Sequence, residues 1–491
     1  MQIAVSAAEL PVAVAALLPL HARHVMLLGM DLSASRRKGG PAVEEVMAIP
    51  GGPIVRLRAE TTEYPSLTPL MPAAQWDERE ARDLFGIVPT GHPDPRPLVH
   101  HEPAGAATLA GAATLAGATT PRFRPFVAHG EGVYQLPVGP IHAGVIEPGH
   151  FRFSAVGESV LHLDARLFYT HRGLESLVEG RTFDAALPIV ERACGVCTVT
   201  HATAFCRAVE RLTQTEVPAR ALLARVLLAE MERLYNHVSD LGNMCAGVGF
   251  NFGVSRLGWH KERLLRLNEG LTGHRYLTGV VAPGGLRAEL DAAALAGLGA
   301  AVKEIDHEVR GVVRVLLRSE SFMARLHGTG IVNTADALRL GALGVAARAS
   351  GVAIDLRIDR PAEGYEGLDL PLISAATGDV AARFHVRAQE AAVSAGLIRD
   401  IAGRLPGGPV RVPLAREAHV GDSAIAGAEG PRGASWIWLM AAPHGTVRRL
   451  HLRSASFANW PVVAAAVPGN LVPDFPIINK SFELCYACTD R

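Results

Sequence analysis

Four cysteines occur as two closely spaced pairs that could bind a metal. Cys194 and Cys197 lie in RACGVCTVTH, and Cys485 and Cys488 lie in CYACTDR. Thiolates bind zinc, iron–sulfur clusters and other soft metal centres, so two C-x-x-C pairs could supply four ligands. Zinc modules use short local spacings, whereas most of a large domain separates these pairs. The spacing favours a functional metal centre, with a structural zinc site as the alternative.

The sequence around the first pair predicts a helix that begins close to Cys197. Gly195 interrupts regular structure between the two cysteines, and helical spacing follows it. Cys197 and His201 are four residues apart, which places them on one face of that helix. The unpaired N–H groups at a helix N-terminus stabilise a thiolate, the form that binds metal. Cys206 and Cys245 stand alone, and we expect both to be small buried core residues.

Length and composition exclude several classes of function. The chain has 491 residues with 48 basic and 48 acidic side chains, so it lacks the basic footprint of a nucleic-acid-binding protein. No apolar run approaches the roughly 20 residues that a membrane span needs. The N-terminal segment has no basic start and is a poor signal peptide. We therefore expect a cytoplasmic protein that reaches any membrane through partners.

The elements that must position the cysteines predict an α+β protein with two domains. Residues 1–103 contain a helix, three short apolar strands and a charged helix ending at Gly86, which indicates a small α+β domain. Residues 104–122 are Ala- and Gly-rich and read as a linker. Residues 123–491 begin with the alternating pattern of a β-meander and continue as a mainly helical domain. Its strongest predicted helices are 221–245, 293–322 and 383–405, with β-segments near 434–452.

The two cysteine motifs resemble those of nickel–iron hydrogenase large subunits. The other motifs are closer to the membrane-associated, energy-converting branch of that family, which includes the formate hydrogenlyase type. That branch is related to the 30-kDa and 49-kDa subunits of respiratory NADH:quinone oxidoreductase, here fused in one chain. The segment PSLTPLMPAAQWDEREARDLFGIVPTGHPD (65–94) is similar to the 30-kDa signature. Motifs in the 49-kDa and hydrogenase order follow it: GPIHAGVIEPGHFRF, YTHRGLE, AEMERLYNH, LTGHRYLTG, DLRIDRP and GPRGASW.

The resemblance implies a Ni-Fe(CN)2(CO) centre bound by the four cysteines. Cys194 and Cys485 would be terminal nickel ligands, and Cys197 and Cys488 would bridge nickel and iron. The implied activity is hydrogenase activity, the interconversion of H2 with protons and electrons. No further cysteine run exists here for an electron relay, so 4Fe–4S clusters are expected in partner subunits.

The resemblance also implies roles for residues around the metal. His201 would hydrogen-bond near a bridging sulfur and tune it. Glu147 would take protons from a terminal thiolate. Arg432 would lie over the diatomic ligands of the iron, and Asp355 and Arg357 would form a polar pair near the same cavity. Each has a structural alternative, such as a surface turn for Glu147 or a plain salt bridge for the Asp355–Arg357 pair.

The expected partners are those of a membrane complex. They are an iron–sulfur small subunit of the 20-kDa type, ferredoxin-like electron-transfer subunits and integral membrane subunits, with formate dehydrogenase as one candidate donor. The chain would then lie peripherally on the cytoplasmic face of the inner membrane. The alternative is a nickel-free, quinone-reducing or coupling subunit. In quinone-binding relatives the segment with His142 and His150 faces the quinone headgroup.

The second motif departs from the common pattern at one point. Many hydrogenases have Asp-Pro before the last cysteine pair, whereas this chain has Glu483-Leu484. Proline fixes the backbone ahead of a ligand, so its loss loosens that constraint. Arg491 occupies the position after which a protease cuts many relatives. We expect metal binding to hold residues 485–491 inside the domain.

Overall fold

The computed structural model describes residues 1–31, 40–100, 123–141, 147–361 and 364–491. The predicted linker at 104–122 and His142 lie outside these ranges. Helices form most of the large unit and small sheets flank them, which confirms the α+β class. In the described part of the chain, no helix is both long and apolar enough to cross a bilayer.

The N-terminal unit is built on a four-stranded sheet of order β1-β4-β3-β2. The pairing of β1 with β4 is parallel, and the other two pairings are antiparallel. The helix α2 ends at Gly86, whose φ of 68° gives the left-handed cap that the sequence predicts. The elements are β1 Gln2–Ala4, α1 Leu10–Leu17, β2 Arg23–Asp31, β3 Pro41–Ala48, β4 Ile54–Glu60, β5 Glu63–Pro65, α2 Gln75–Phe85 and β6 Val88–Thr90.

The large unit opens with the predicted meander and continues into long helices. Strands β7, β8 and β9 pair antiparallel in sequence order. The helix predicted at 293–322 is two helices, because the Ser319 hydroxyl accepts from the Phe322 N–H and starts a new one. The elements are β7 Val133–Val138, β8 His150–Val156, β9 Ser159–Arg166, α3 Leu174–Val178, α4 Phe183–Glu191, α5 Thr198–Thr213, α6 Ala219–Gly247, α7 Asn251–Thr272, β10 Val281–Ala282, β11 Gly285–Leu286, α8 Ala292–Arg318 and α9 Glu320–Leu326.

The last third of the chain adds a second antiparallel sheet and the helices around the second cysteine pair. The sheet has three strands in the order β12-β13-β14, of which the sequence predicted the last two. The elements are α10 Thr334–Arg339, α11 Gly344–Arg348, α12 Leu356–Asp359, α13 Val380–Arg404, β12 Ser423–Gly430, β13 Gly433–Ala442, β14 Thr446–Arg453, α14 Ala455–Ala466, α15 Phe475–Phe482 and α16 Ala487–Asp490.

Helix α6 runs through the main core and touches the elements that carry the site. It packs against α5, α7, α13 and α15, and almost its whole length is buried. Cys206 and Cys245 belong to this core, as the sequence predicts. Because α6 is buried on most faces, its polar residues must find partners on neighbouring elements.

The two units meet through an apolar layer crossed by polar contacts. Side chains of β2 and β3 pack against Trp436 and Trp438 of β13. The Trp438 indole N–H donates to the Glu44 carboxylate at 3.0 Å. Arg453 of β14 donates to Asp77 of α2 at 2.9 Å, and both side chains are buried.

Candidate metal centre

The structure brings the two cysteine pairs together. The Sγ atoms of Cys194, Cys485 and Cys488 all lie within 4.8 Å of one another. Cys197 belongs to the same buried cluster, and all four are free thiols. Residues far apart in sequence thus form one compact set of sulfur donors.

The N-terminus of α5 holds the first pair. Cys197 is the residue before the helix, and its carbonyl accepts from the His201 N–H at 3.2 Å. The Glu232 carboxylate of α6 accepts from the N–H groups of Val199 at 2.7 Å and Thr200 at 3.1 Å. A carboxylate therefore satisfies the helix donors that the sequence assigned to a thiolate. Burial raises the pKa of Glu232 to about 7 despite these hydrogen bonds.

The second pair is held by two serines at the start of α14. The Cys485 N–H donates to Ser456 Oγ at 2.9 Å, and the Ser454 hydroxyl donates to the Cys488 carbonyl at 3.0 Å. The Cys488 N–H donates to Cys485 Sγ at 3.3 Å, and the Thr489 hydroxyl donates to the Cys485 carbonyl at 2.8 Å. These contacts fix the loop without any metal and point its sulfurs toward Cys194.

The charge state of the four sulfurs fits a cation-binding site. Hydrogen bonds from Cys197, Cys485 and Cys488 lower the pKa of the Cys194 thiol well below its usual value. Burial raises the pKa of Cys488 to about 12. The other three cysteines thus favour the ionised form of Cys194, and a soft cation would favour ionisation of all four.

Arg432 brings a positive charge to the cysteine cluster. Its guanidinium donates to Cys197 Sγ at 3.3 Å and to Asn236 Oδ1 at 3.0 Å. It also pairs with Asp240 at 3.4 Å and donates to the Glu483 carbonyl. The structure thus places Arg432 beside the cysteine cluster, and its predicted position over the diatomic ligands of an iron stays a prediction.

Asp240 links two arginines in a buried chain that holds the segment before the second pair. Arg387 of α13 donates to Asp240 Oδ2 at 2.6 Å, and Arg432 donates to Oδ1. Arg387 also donates to the carbonyls of Ser481 and Phe482. The chain Arg387–Asp240–Arg432 therefore fixes residues 481–483, directly ahead of Cys485.

His201 has no hydrogen-bond partner at either ring nitrogen within the described part of the chain. The side chain is buried, and burial lowers its pKa. An unpaired buried imidazole is costly, so a polar group at the cysteine cluster would satisfy it. This observation fits a metal centre with polar ligands, and the role predicted for His201 stays a prediction.

The remaining predicted residues make their contacts with groups other than the sulfurs. Glu147 is exposed, and its charge contributes to raising the pKa of Tyr486 to about 12, which is chiefly a burial effect. His150 binds the Gly139 carbonyl at 3.2 Å. Asp355 and Arg357 form a two-bond ion pair at 2.9 and 2.7 Å. The proton role of Glu147 therefore stays a prediction.

The Asp355–Arg357 pair belongs to a larger buried charge network. Arg357 also donates to Glu230 of α6 at 3.0 Å, and Asp355 pairs with Arg348 at 3.4 Å. Arg233 of α6 donates to the carbonyl of Gly430, two residues before Arg432. The charged atoms of the Asp355–Arg357 pair thus contact Glu230 and Arg348. The same network, through Arg233, reaches the turn between β12 and β13 that carries Arg432.

Sequence reasoning missed the acidic and amide residues that position the site. Glu232, Asn236 and Asp240 occur at intervals of four along α6, so they share one helix face. That regular spacing within a long apolar helix was the signal that could have revealed them. Glu483 was noted only as a departure, yet its backbone is left-handed with φ of 52° and burial raises its pKa to about 7.

Three family profiles match successive parts of the chain. "Respiratory-chain NADH dehydrogenase, 30 Kd subunit" matches residues 20–107, and "Nickel-dependent hydrogenase" matches 172–246. "Respiratory-chain NADH dehydrogenase, 49 Kd subunit" matches 253–421 and 416–491. Formate hydrogenlyase subunit 5 of Escherichia coli (strain K12) is 35% identical over 448 residues, covering 89% of this chain and 78% of the relative. The chain belongs to the formate hydrogenlyase-type family of hydrogenase large subunits.

This hydrogenase family extends to respiratory relatives. An NADH-quinone oxidoreductase subunit of Salinispora tropica is 33% identical over 360 residues, covering 72% of this chain and 92% of that one. A chain in the structure of the membrane-bound sulfane sulfur reductase (MBS), an archaeal respiratory membrane complex, superimposes with a TM-score of 0.69 at 26% identity. That match covers 74% of this chain and 99% of the other. The predicted fusion of 30-kDa-like and 49-kDa-like regions is confirmed, and the chain is a hydrogenase-like or NADH-dehydrogenase-like oxidoreductase subunit.

Proposed function

We propose that the chain is the catalytic subunit of a multi-subunit nickel–iron hydrogenase that interconverts H2 with protons and electrons. The observation that carries this proposal is the convergence of the four cysteines. Three sulfurs lie within 4.8 Å of one another, and the fourth cysteine is in the same cluster beside Arg432. The unpaired ring of His201 and the similarity to a formate hydrogenlyase subunit support it.

The cysteines and Arg432 would have different roles in this centre. Cys194, Cys197, Cys485 and Cys488 would hold nickel and iron, which when bound supply the electron-transfer and Lewis-acid chemistry for H2. Arg432 places a fixed positive charge against Cys197 and stabilises negative charge on the ligand set. Burial of the cluster excludes bulk water and strengthens these electrostatic interactions.

A nickel-free coupling subunit is the second candidate, and the similarity to the Salinispora tropica NADH-quinone oxidoreductase subunit favours it. A coupling subunit leaves the convergence of four cysteines without a role, and the ionised form that the cluster favours at Cys194 is costly in a buried site unless a cation pairs with it. The cysteine cluster therefore favours the hydrogenase over the coupling subunit.

Partners follow from the same proposal. We expect an iron–sulfur small subunit with a 4Fe–4S cluster beside the cysteine cluster, ferredoxin-like electron carriers and integral membrane subunits, with formate dehydrogenase as a candidate donor. The chain would then lie peripherally on the cytoplasmic face of the inner membrane. The match to a chain of an archaeal respiratory membrane complex supports this arrangement.

Metal analysis and infrared spectroscopy of the natively purified complex test the proposal. We expect stoichiometric nickel and infrared bands from iron-bound cyanide and carbonyl. Cys488→Ser should lose nickel, whereas the control Cys206→Ser, in the buried core, should keep it. Zinc alone in the wild-type complex, or full nickel and H2-dependent dye reduction in Cys488→Ser, would contradict the assignment.

A further inference from the structure

A small cavity lies between α5, α6 and β12, and its mainly apolar wall carries a few polar side chains. Its volume is about 40 Å³, enough for about two or three water molecules. Polar side chains on its wall include Thr200, Thr203, Arg357, Tyr365 and Glu429. The Thr203 hydroxyl is buried and has no partner within the described part of the chain. A water molecule in this space would satisfy the Thr203 hydroxyl, whereas the other four side chains already have partners in the protein.

The cavity adjoins a larger cleft that reaches the protein surface. The cleft has a volume of about 290 Å³ and shares Arg207, Leu356 and Gly427 with the cavity. It opens at the junction with the N-terminal unit, where Gly51 and Pro361 are exposed. The cavity is therefore separated from a solvent-exposed cleft by one shared wall.

The inner wall of the cavity leads to a buried carboxylate. The Thr200 hydroxyl donates to Glu232, and its oxygen keeps lone pairs that a cavity water could donate to. The Glu232 side chain is fully buried, and its pKa is about 7. Burial raises this pKa most, hydrogen bonds from Thr200 and Val199 lower it, and the charge of Cys194 raises it. Glu232 thus stands between the cavity and the first cysteine pair.

We propose that Thr200 and Glu232 form a proton relay between this cavity and the cysteine cluster. The inference rests on the proposed hydrogenase function. A cavity water donates a proton to Thr200 Oγ1 and regains one from solvent in the cleft, while the Thr200 hydroxyl proton passes to the ionised Glu232 carboxylate. Glu232 then releases this proton to a thiolate of the cysteine cluster and is ionised again. One proton passes from solvent to the thiolate, no electron is transferred, and the reverse sequence removes a proton during H2 oxidation. The relay enters from the domain junction, whereas Glu147 is an exposed residue that acts on Tyr486, between the second pair of cysteines.

Glu191 offers a matched control for Glu232. It is a buried glutamate of α4 whose pKa burial also raises to about 7, and it accepts a backbone N–H from Gly279 at 3.1 Å. It lines neither the cavity nor the cleft. Glu191→Gln therefore reproduces the loss of a buried acidic group without touching the proposed relay.

The test compares Glu232→Gln, Thr200→Val and Thr200→Ser with Glu191→Gln in the purified complex. Nickel content and the infrared bands of the iron ligands first establish that each variant holds its metal. We expect exchange between D2 and solvent protons to fall about 100-fold or more in Glu232→Gln and Thr200→Val. Thr200→Ser keeps a hydroxyl and should retain most of the rate, and Glu191→Gln should retain it fully.

A second measurement does not depend on turnover. Infrared difference spectra in H2O and D2O should show a carboxylic acid band that shifts on deuteration, is absent in Glu232→Gln and is present in Glu191→Gln. Normal exchange in a nickel-loaded Glu232→Gln protein would overturn the relay and leave the proposed function intact. Wild-type protein without nickel would overturn the proposed function instead. If Glu232→Gln fails to bind nickel, the comparison of Thr200→Val with Thr200→Ser tests the relay instead. Equal rates of exchange between D2 and solvent protons in these two variants would overturn the relay.

Discussion

Asp240→Asn should release the segment that carries the second cysteine pair. Asp240 is 1% exposed and is the shared counter-ion of Arg387 and Arg432. Asparagine has nearly the same shape but no charge, and its single oxygen can accept from only one of the two arginines. Both guanidinium groups would remain buried with too little negative charge beside them, so their hold on residues 481–483 would weaken.

The contact geometry gives the size of the effect. Hydrogen bonds to charged groups contribute about 1.5–3 kcal/mol each, and the bond to Arg387, at 2.6 Å, is the shorter of the two. The bond to Arg432, at 3.4 Å, is weaker. Removing one partner of a buried pair costs about 3–5 kcal/mol because the opposite charge is left uncompensated. We therefore expect Asp240→Asn to lower the free energy of unfolding by about 3–5 kcal/mol.

Urea unfolding of the metal-free protein measures this loss, and hydrogen exchange at residues 484–490 measures the release of the segment. The control is Asp400→Asn, which removes an ion pair with Arg404 one helical turn away, where both side chains of α13 are about half exposed. That pair lies partly in solvent, so the control should change stability by about 0.5 kcal/mol or less. A loss below about 1 kcal/mol in Asp240→Asn, with unchanged exchange at 484–490, would refute this account of the arginine chain.

Three further substitutions test other contacts. Glu80→Gln removes one of the two carboxylates bound to Arg491. It should lower the free energy of unfolding by about 2 kcal/mol and speed amide exchange at residues 489–491. Unchanged exchange would mean that the Glu80–Arg491 ion pair does not hold the two units together. Burial alone would raise the pKa of Glu230, but neighbouring guanidinium groups lower it to about 2. The ionised Glu230 therefore contributes its full stabilisation of the folded protein above pH 4.5, and this contribution is lost as the pH falls toward 2. Glu230→Gln should therefore flatten the acid limb of the stability–pH curve measured by thermal unfolding, and an unaltered limb would contradict this. Gly149→Ala would place a Cβ 2.6 Å from the Tyr486 ring, so it should lower the free energy of unfolding measured in urea by about 1–3 kcal/mol and reduce nickel content; wild-type stability and nickel content would contradict this.

Local sequence patterns were enough to predict most of the helices and strands. The alternation in 139–167, which contains β8 and β9, and the apolar spacing of 221–245 arise from faces that meet a single core, so each pattern can be read without knowledge of the partner element. Strand β7, Val133–Val138, lies before the predicted segment. Strand β12, Ser423–Gly430, was missed because its Gly and Ala residues carry little strand propensity. Its neighbour β13 supplies the large side chains that complete the sheet.

The site was only partly predictable for a different reason. The cysteines are recognisable because their spacing is itself a chemical pattern. Asp240 looks like a surface residue in its own helix, and only the approach of Arg387 and Arg432 from distant segments makes it buried and necessary. Glu80 contacts Arg491 across most of the length of the chain, which no local pattern can show.

The contact between Glu80 and Arg491 has a consequence for how the two units stay together. Arg491 follows Cys488 by three residues and binds Glu80 at 2.6 Å, while Arg453 binds Asp77 in the same junction. Covalent connection gives two modules an effective concentration on the order of millimolar. Ion pairs and the apolar layer between β2, β3 and β13 therefore need less intrinsic affinity to keep the units docked than the same junction would need between separate chains. Each cysteine cluster is thereby supplied with one N-terminal unit, in fixed ratio and without a search for a partner.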